Sequence, residues 1–203
     1  MTTVLARLKA ETRPQHDHLE TNPFSVAIMN QTITRAQYRT MLARFYGFYA
    51  PLEPMLDHFD LSAVGIDFAD RRKSHLLAAD LRSLEMSLQG LMALPHCREL
   101  PQIGTLPRAL GVLYVLEGAT LGGQVISRQL KARHNLTPEC GVAFFNSYGD
   151  QVGPRWKQFT GAVSAYSTAH PEHDDQLVAA AAQTFDCFAN WLMPLPLHPA
   201  SLV

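Results

Sequence analysis

The 203-residue chain holds 47% hydrophobic and 17% charged residues, with a formal net charge of −1. That length suits one generous core rather than two full domains, and the apolar content excludes intrinsic disorder. The near-neutral balance supplies no global basic field for nucleic acid.

Helical periodicity dominates from the first residues. Val4, Leu5, Leu8 and Thr12 recur at helix spacing, and Thr12-x-x-Gln15 with Pro14 reads as a capping box restarting a helix toward Glu20. A second such signal, Thr34-Arg-Ala-Gln37, opens a long amphipathic stretch carrying Tyr38, Met41, Leu42, Phe45, Phe48, Tyr49, Leu52 and Leu56. Its aromatics read as helix-packing core. Arg71 to Leu91 repeats the pattern and predicts a third long helix, and Thr105 to Lys131 a fourth. Further helices are expected from Gly153 or Pro154 onward, with Trp156, Phe159 and Val163, and from Asp174 to Leu192. Pro194, Pro196 and Pro199 then end regular structure in a proline-rich tail. No alternating run reads as a strand. The expectation is one all-α domain over residues 1–203, of seven or eight helices.

Several classes are set aside early. The most apolar run, Ala109 to Leu116, stops at Glu117, well short of the ~18–20 residues that span a bilayer. The N-terminus has no basic region followed by an apolar stretch, so a cytoplasmic protein is expected. Cys97, Cys140 and Cys187 are odd in number and widely spaced, which argues against a disulfide framework or zinc knuckle. No glutamate has a histidine three residues later, so the metal site of ferritin-like bundles is absent. His170 and His173, in Ala-His-Pro-Glu-His-Asp-Asp, read as a solvated helix entry and receive no function.

The most informative segment is Gly118-Ala-Thr-Leu-Gly122-Gly123-Gln124, inside a long helix. Each interior glycine costs about 0.5–1 kcal/mol relative to alanine, so three within six residues need a reason. Close helix–helix packing is one. A ligand-facing bend, which Thr120 and Gln124 amid apolar neighbours would suit, is the other. Near the amino end, His16 and His18 point about 200° apart on a helix, so at most one can ligate a given metal.

Three segments together resemble the heme oxygenase family, especially its bacterial biliverdin-forming branch encoded beside bacterial phytochromes. They are Leu8-Lys-Ala-Glu-Thr-Arg-Pro-Gln-His16, Leu113 through Gln124, and Tyr148-Gly149 followed by Val152-Gly153 and Trp156-Lys-Gln-Phe159. Tyr38 to Glu53 and Lys73 to Leu84 match the family's helical pattern as well, so the likeness covers most of the chain. It implies a multi-helical fold with heme between a proximal and a distal helix. The implied activity is dioxygen- and electron-dependent opening of heme to biliverdin, carbon monoxide and ferrous iron.

By position, His16 matches the family's proximal iron ligand, with Glu20 as the group that orients its ring. Gly118, Gly122 and Gly123 match the distal helix, with Gly118, Thr120 and Gly122 at the chemistry. Lys9, Tyr114 and Lys157 match residues that hold the heme propionates, and Phe185 lies on the helix that closes over the heme. Many members carry an aspartate directly after the first motif glycine, where it anchors proton-delivering water. Ala119 stands there in this chain, and Thr120 is the candidate substitute. The resemblance also implies an external reductant, with a ferredoxin or a reductase as electron-donor partner, and a bacterial phytochrome as recipient of the bilin. Ala119 keeps a second reading open, a heme carrier or sensor without turnover. A third is a helical hydrolase of the thiaminase-like group with a cysteine nucleophile.

Overall fold

In the computed structural model, which describes residues 2–193, every regular element is helical; the expected proline-rich tail from 194 lies outside the described residues. The amino end forms α1 (Val4–Glu11) and α2 (Arg13–Glu20). Thr3 caps α1 by accepting a hydrogen bond from the Ala6 amide. The restart at Thr12 occurs without the expected capping box. Thr12 is buried, its hydroxyl donates to the Leu8 carbonyl at 2.7 Å, and its side chain makes no cap hydrogen bond to α2. A short helix not foreseen in the sequence follows, α3 (Pro23–Met29), with the Asn22 side chain accepting from the Phe24 and Ser25 amides.

The Thr34–Gln37 box is formed, and it opens α4 (Arg35–Leu56). Tyr38, Phe48 and Tyr49 on that helix are buried, and Phe48 stacks on Phe188 with 4.5 Å between ring centres. The single helix expected over Arg71–Leu91 is two, α5 (Ser74–Ser83) and α6 (Leu88–Met92). Glu85, at φ +67°, breaks it, and the Ser87 side chain recaps the chain by accepting from the Gly90 amide. Leu88 consequently points to solvent.

The remaining helices are α7 (Leu106–His134), α8 (Ala143–Asn146), α9 (Val152–Ala169) and α10 (Asp174–Leu192). α10 runs between the limits read from the sequence, and the would-be strand Val112–Val115 is helical within α7. α7 is the central element. At Gly111 it lies so close to α10 that a side chain there would collide with the Leu177 carbonyl and Ala180. By length and composition alone α7 could also cross a membrane; here 56% of its most apolar stretch is buried inside the protein, as in a core helix. α10 is the shared wall of the fold, packing on α1, α2, α4 and α7. It thereby joins the helix carrying His16 to the helix carrying the glycines.

Candidate heme site

The glycine segment divides between two faces of α7. At about 100° per residue, positions 114, 118 and 122 share one stripe, while 117, 120 and 123 share another. On the first, a β-carbon added at Gly118 would meet only the Trp156 ring edge, at 3.7 Å, and one at Gly122 would meet nothing within 4 Å. Tyr114 lies 5.5 Å from Trp156, ring centre to ring centre, and burial pushes its phenol pKa up. Leu121 and Val125 beside this stripe remain 43% and 45% exposed. A bare, apolar, open face of this kind fits a flat ligand.

The second face is closed. A β-carbon at Gly123 would stand 2.7 Å from the Phe145 carbonyl oxygen on α8, so this glycine is accounted for by helix packing rather than by the open face. Thr120 is buried beside it, and its hydroxyl donates to the Glu117 carbonyl at 2.7 Å. The structure therefore does not bring Thr120 and Gly123 together with Gly118 and Gly122, as the single ligand-facing bend had grouped them. A cavity of about 10 Å³ lies among Lys73, Ala119, Thr120, Gly123 and Phe145. That is the lower limit for one water molecule. The larger cavity, about 530 Å³ and lined by Asp57, Phe59, Asp60, Ile66 and Phe68 among others, includes none of the expected site residues.

On the closed side of α7, at Glu117, is a cluster that sequence reasoning missed. Glu117 is buried and hydrogen-bonded to Arg71, to the Lys73 ammonium at 2.6 Å and to the Tyr148 hydroxyl at 2.8 Å. Lys73 also donates to the Tyr148 oxygen at 2.9 Å, and Arg71 to Gln158 at 3.2 Å. Glu53, likewise buried, accepts from the Lys73 amide at 2.6 Å and from the Ser74 hydroxyl. Two cations thus face two carboxylates, which keeps the buried cluster near neutral. Burial lowers the Lys73 pKa, opposed by Glu117, and raises that of Tyr148, with Glu117 adding to the effect. The only sequence signals were a glutamate interrupting the apolar run of α7 and the basic triplet Arg71-Arg72-Lys73 before α5.

His16 is 49% exposed on α2. Its Nδ1 lies 3.6 Å from Asp17 and its Nε2 3.8 Å from Glu20, too long for hydrogen bonds but within reach of small side-chain rotations. Either nitrogen can thus be held by a carboxylate while the other coordinates. Phe185 of α10 meets the imidazole edge-on at 5.7 Å. Lys9, Lys157 and Ala119 are exposed.

The heme oxygenase family model matches residues 2–193. The chain belongs to the heme oxygenase family. A heme oxygenase from Xanthomonas campestris pv. campestris is 27% identical over 148 residues, covering 71% of this chain and 82% of that protein. Among solved structures, heme oxygenase from Leptospira interrogans superposes with a TM-score of 0.77 at 18% identity, covering 94% of this chain and 98% of that one. Heme oxygenase 2 from Chlamydomonas reinhardtii gives 0.76 at 16% identity, covering 97% of this chain and all of the other. The Neisseria meningitidis enzyme gives 0.74 at 18% identity, with coverages of 95% and 91%. The all-α arrangement is thus the heme oxygenase-like fold.

Two of the three cysteines fit the hydrolase alternative poorly. Cys97 is buried with its thiol pKa raised by burial, and burial likewise pushes Cys187 up to about 11, so neither is poised as a thiolate.

Proposed function

We propose that this protein is a biliverdin-forming heme oxygenase that opens heme in a dioxygen- and electron-dependent reaction. The observation that carries the reading is the bare stripe of Gly118 and Gly122 on a family-matched α7, joined through α10 to the helix bearing His16. When bound, heme supplies both the iron that activates dioxygen and the ring that is cleaved.

The chain's own residues do the rest. His16 would hold the iron through a neutral imidazole nitrogen, with Glu20 or Asp17 orienting the ring. Gly118 and Gly122 let backbone approach where side chains would fill the pocket. Trp156 and Tyr114 wall off one side of that opening. Lys9, Lys157 and the Tyr114 hydroxyl meet the propionates at the rim. Thr120 holds its proton on the Glu117 carbonyl and has lone pairs left to accept from a water, so its part in proton delivery is relayed rather than direct. A cytoplasmic location belongs to the same proposal, as do a ferredoxin or reductase as electron donor and a bacterial phytochrome as bilin acceptor, the last two supported by the motif resemblance alone.

The test is a single-turnover assay: hemin-loaded protein in air with ascorbate or a reductase. Loss of the Soret band with bilin absorption and carbon monoxide release supports the reading. Ala119, which places no polar side chain beside Gly118, favours the carrier alternative. Stoichiometric heme binding without carbon monoxide release would establish that alternative instead.

A further inference from the structure

We propose that the turn between α9 and α10 is a binding site for a divalent first-row transition cation, held by His170, Glu172 and His173. His170 Nδ1 and His173 Nε2 each lie 3.7 Å from the same carboxylate oxygen of Glu172. All three donor atoms fall within 4.8 Å of one another. Metal–ligand distances near 2.0–2.1 Å in tetrahedral geometry demand donor separations of about 3.4 Å. The three side chains therefore need to close by roughly 1.4 Å at most, well within the freedom of exposed rotamers.

Two further features go beyond what a solvated helix entry requires. The His173 Nδ1 lies 2.7 Å from the hydroxyl of Tyr166, seven residues earlier in the last turn of α9. With Nδ1–H donating to that oxygen, the Nε2 lone pair is presented toward Glu172, which is how an outer hydrogen bond fixes a ligating imidazole. The two imidazoles also lie nearly parallel, 5.3 Å apart with 24° between planes, and Pro171 with the tight turn Pro171–His173 holds their backbones in register. Two imidazoles and one carboxylate on an exposed turn leave a fourth position for water and select zinc, iron, cobalt or nickel over calcium or magnesium, which prefer all-oxygen shells.

The cation would pin the end of α9 to the start of α10, the helix whose Phe185 touches His16. The inference does not rest on the heme reading, since none of its ligands belongs to the heme site. It is tested by titrating zinc chloride, and cobalt chloride as a visible-absorption probe, into the tag-free full-length protein.

The expected result is one saturable site per chain, with a zinc-dependent rise in melting temperature that magnesium does not produce. The His170→Ala/His173→Ala double variant and Glu172→Gln should each weaken binding more than about tenfold, and Tyr166→Phe by about tenfold. All four positions lie on or near the surface, and far-ultraviolet circular dichroism checks that each variant folds. Absence of saturable binding, or binding that survives the double variant, overturns the proposal.

Discussion

The Lys73 ammonium lies 2.6 Å from the Glu117 carboxylate, one residue before Gly118 in the chain. The buried charge cluster sits on the closed side of α7, beside the open stripe, and ties α7 to α5 through Lys73 and to α9 through the Arg71–Gln158 bond. Removing one partner strands the others. Glu117→Gln leaves Arg71 and Lys73 facing a neutral amide and should cost ~3–5 kcal/mol in urea unfolding. A loss below about 1 kcal/mol would show that water reaches the cluster and neutralises the argument from burial.

The two faces of α7 separate cleanly by mutation. Gly123→Ala sets a β-carbon 2.7 Å from the Phe145 carbonyl and should destabilise by ~1–3 kcal/mol. Gly122→Ala meets no atom within 4 Å, so stability should hold or rise by ~0.5–1 kcal/mol while hemin affinity falls. Paired denaturation and hemin titrations decide this. Unchanged hemin binding by the Gly122 variant would place the ligand elsewhere.

Asp80 gives the fold a pH signature. Its carboxylate accepts from the Ala143 and Phe144 amides at 2.8 and 2.9 Å, holding the start of α8. Burial nonetheless lifts its pKa from the ordinary 3.8 to about 6, against those two bonds. With the folded value raised, the folded state binds the extra proton. The contribution of Asp80 to stability is therefore present below about pH 4 and lost as pH rises through about 6, up to ~3 kcal/mol. The stability advantage of the wild type over Asp80→Asn should shrink across that interval. An advantage that grows with pH would reverse the sign and refute the assignment.

On the proposed reading, Lys9→Ala and Lys157→Ala remove cations at the rim of the heme site. Each exposed cation contributes ~0–1 kcal/mol to holding a propionate, so hemin dissociation constants should rise severalfold or less. Analysis of the bilin products of each variant shows whether the cleavage position moves with the propionate contacts.

Much of the fold was legible because local signals agreed with the final packing. The Thr34–Gln37 box begins α4, and the apolar period of α10 runs unbroken to Leu192. Where the reading went astray, a tertiary demand had overridden a local pattern. Thr12 matched a capping box, yet its burial turned the hydroxyl back to Leu8. The leucines from Leu76 to Leu88 kept helical spacing, but the left-handed Glu85 ended α5 between them. The glycine cluster was visible in the sequence, while its division into an open and a packed face depended on Phe145, which is distant along the chain. Arg71, Lys73 and Glu53 escaped notice because charged residues ordinarily mark solvated faces. Only the folded chain shows them buried together.

The most direct test of the heme reading is a hemin titration of wild type and His16→Ala, followed by optical and electron paramagnetic resonance spectra with and without added imidazole. A one-to-one wild-type complex with histidine-ligated ferric iron, lost in the variant and restored by imidazole, is the predicted outcome. An identical Soret band and identical resonance signals in His16→Ala would contradict it.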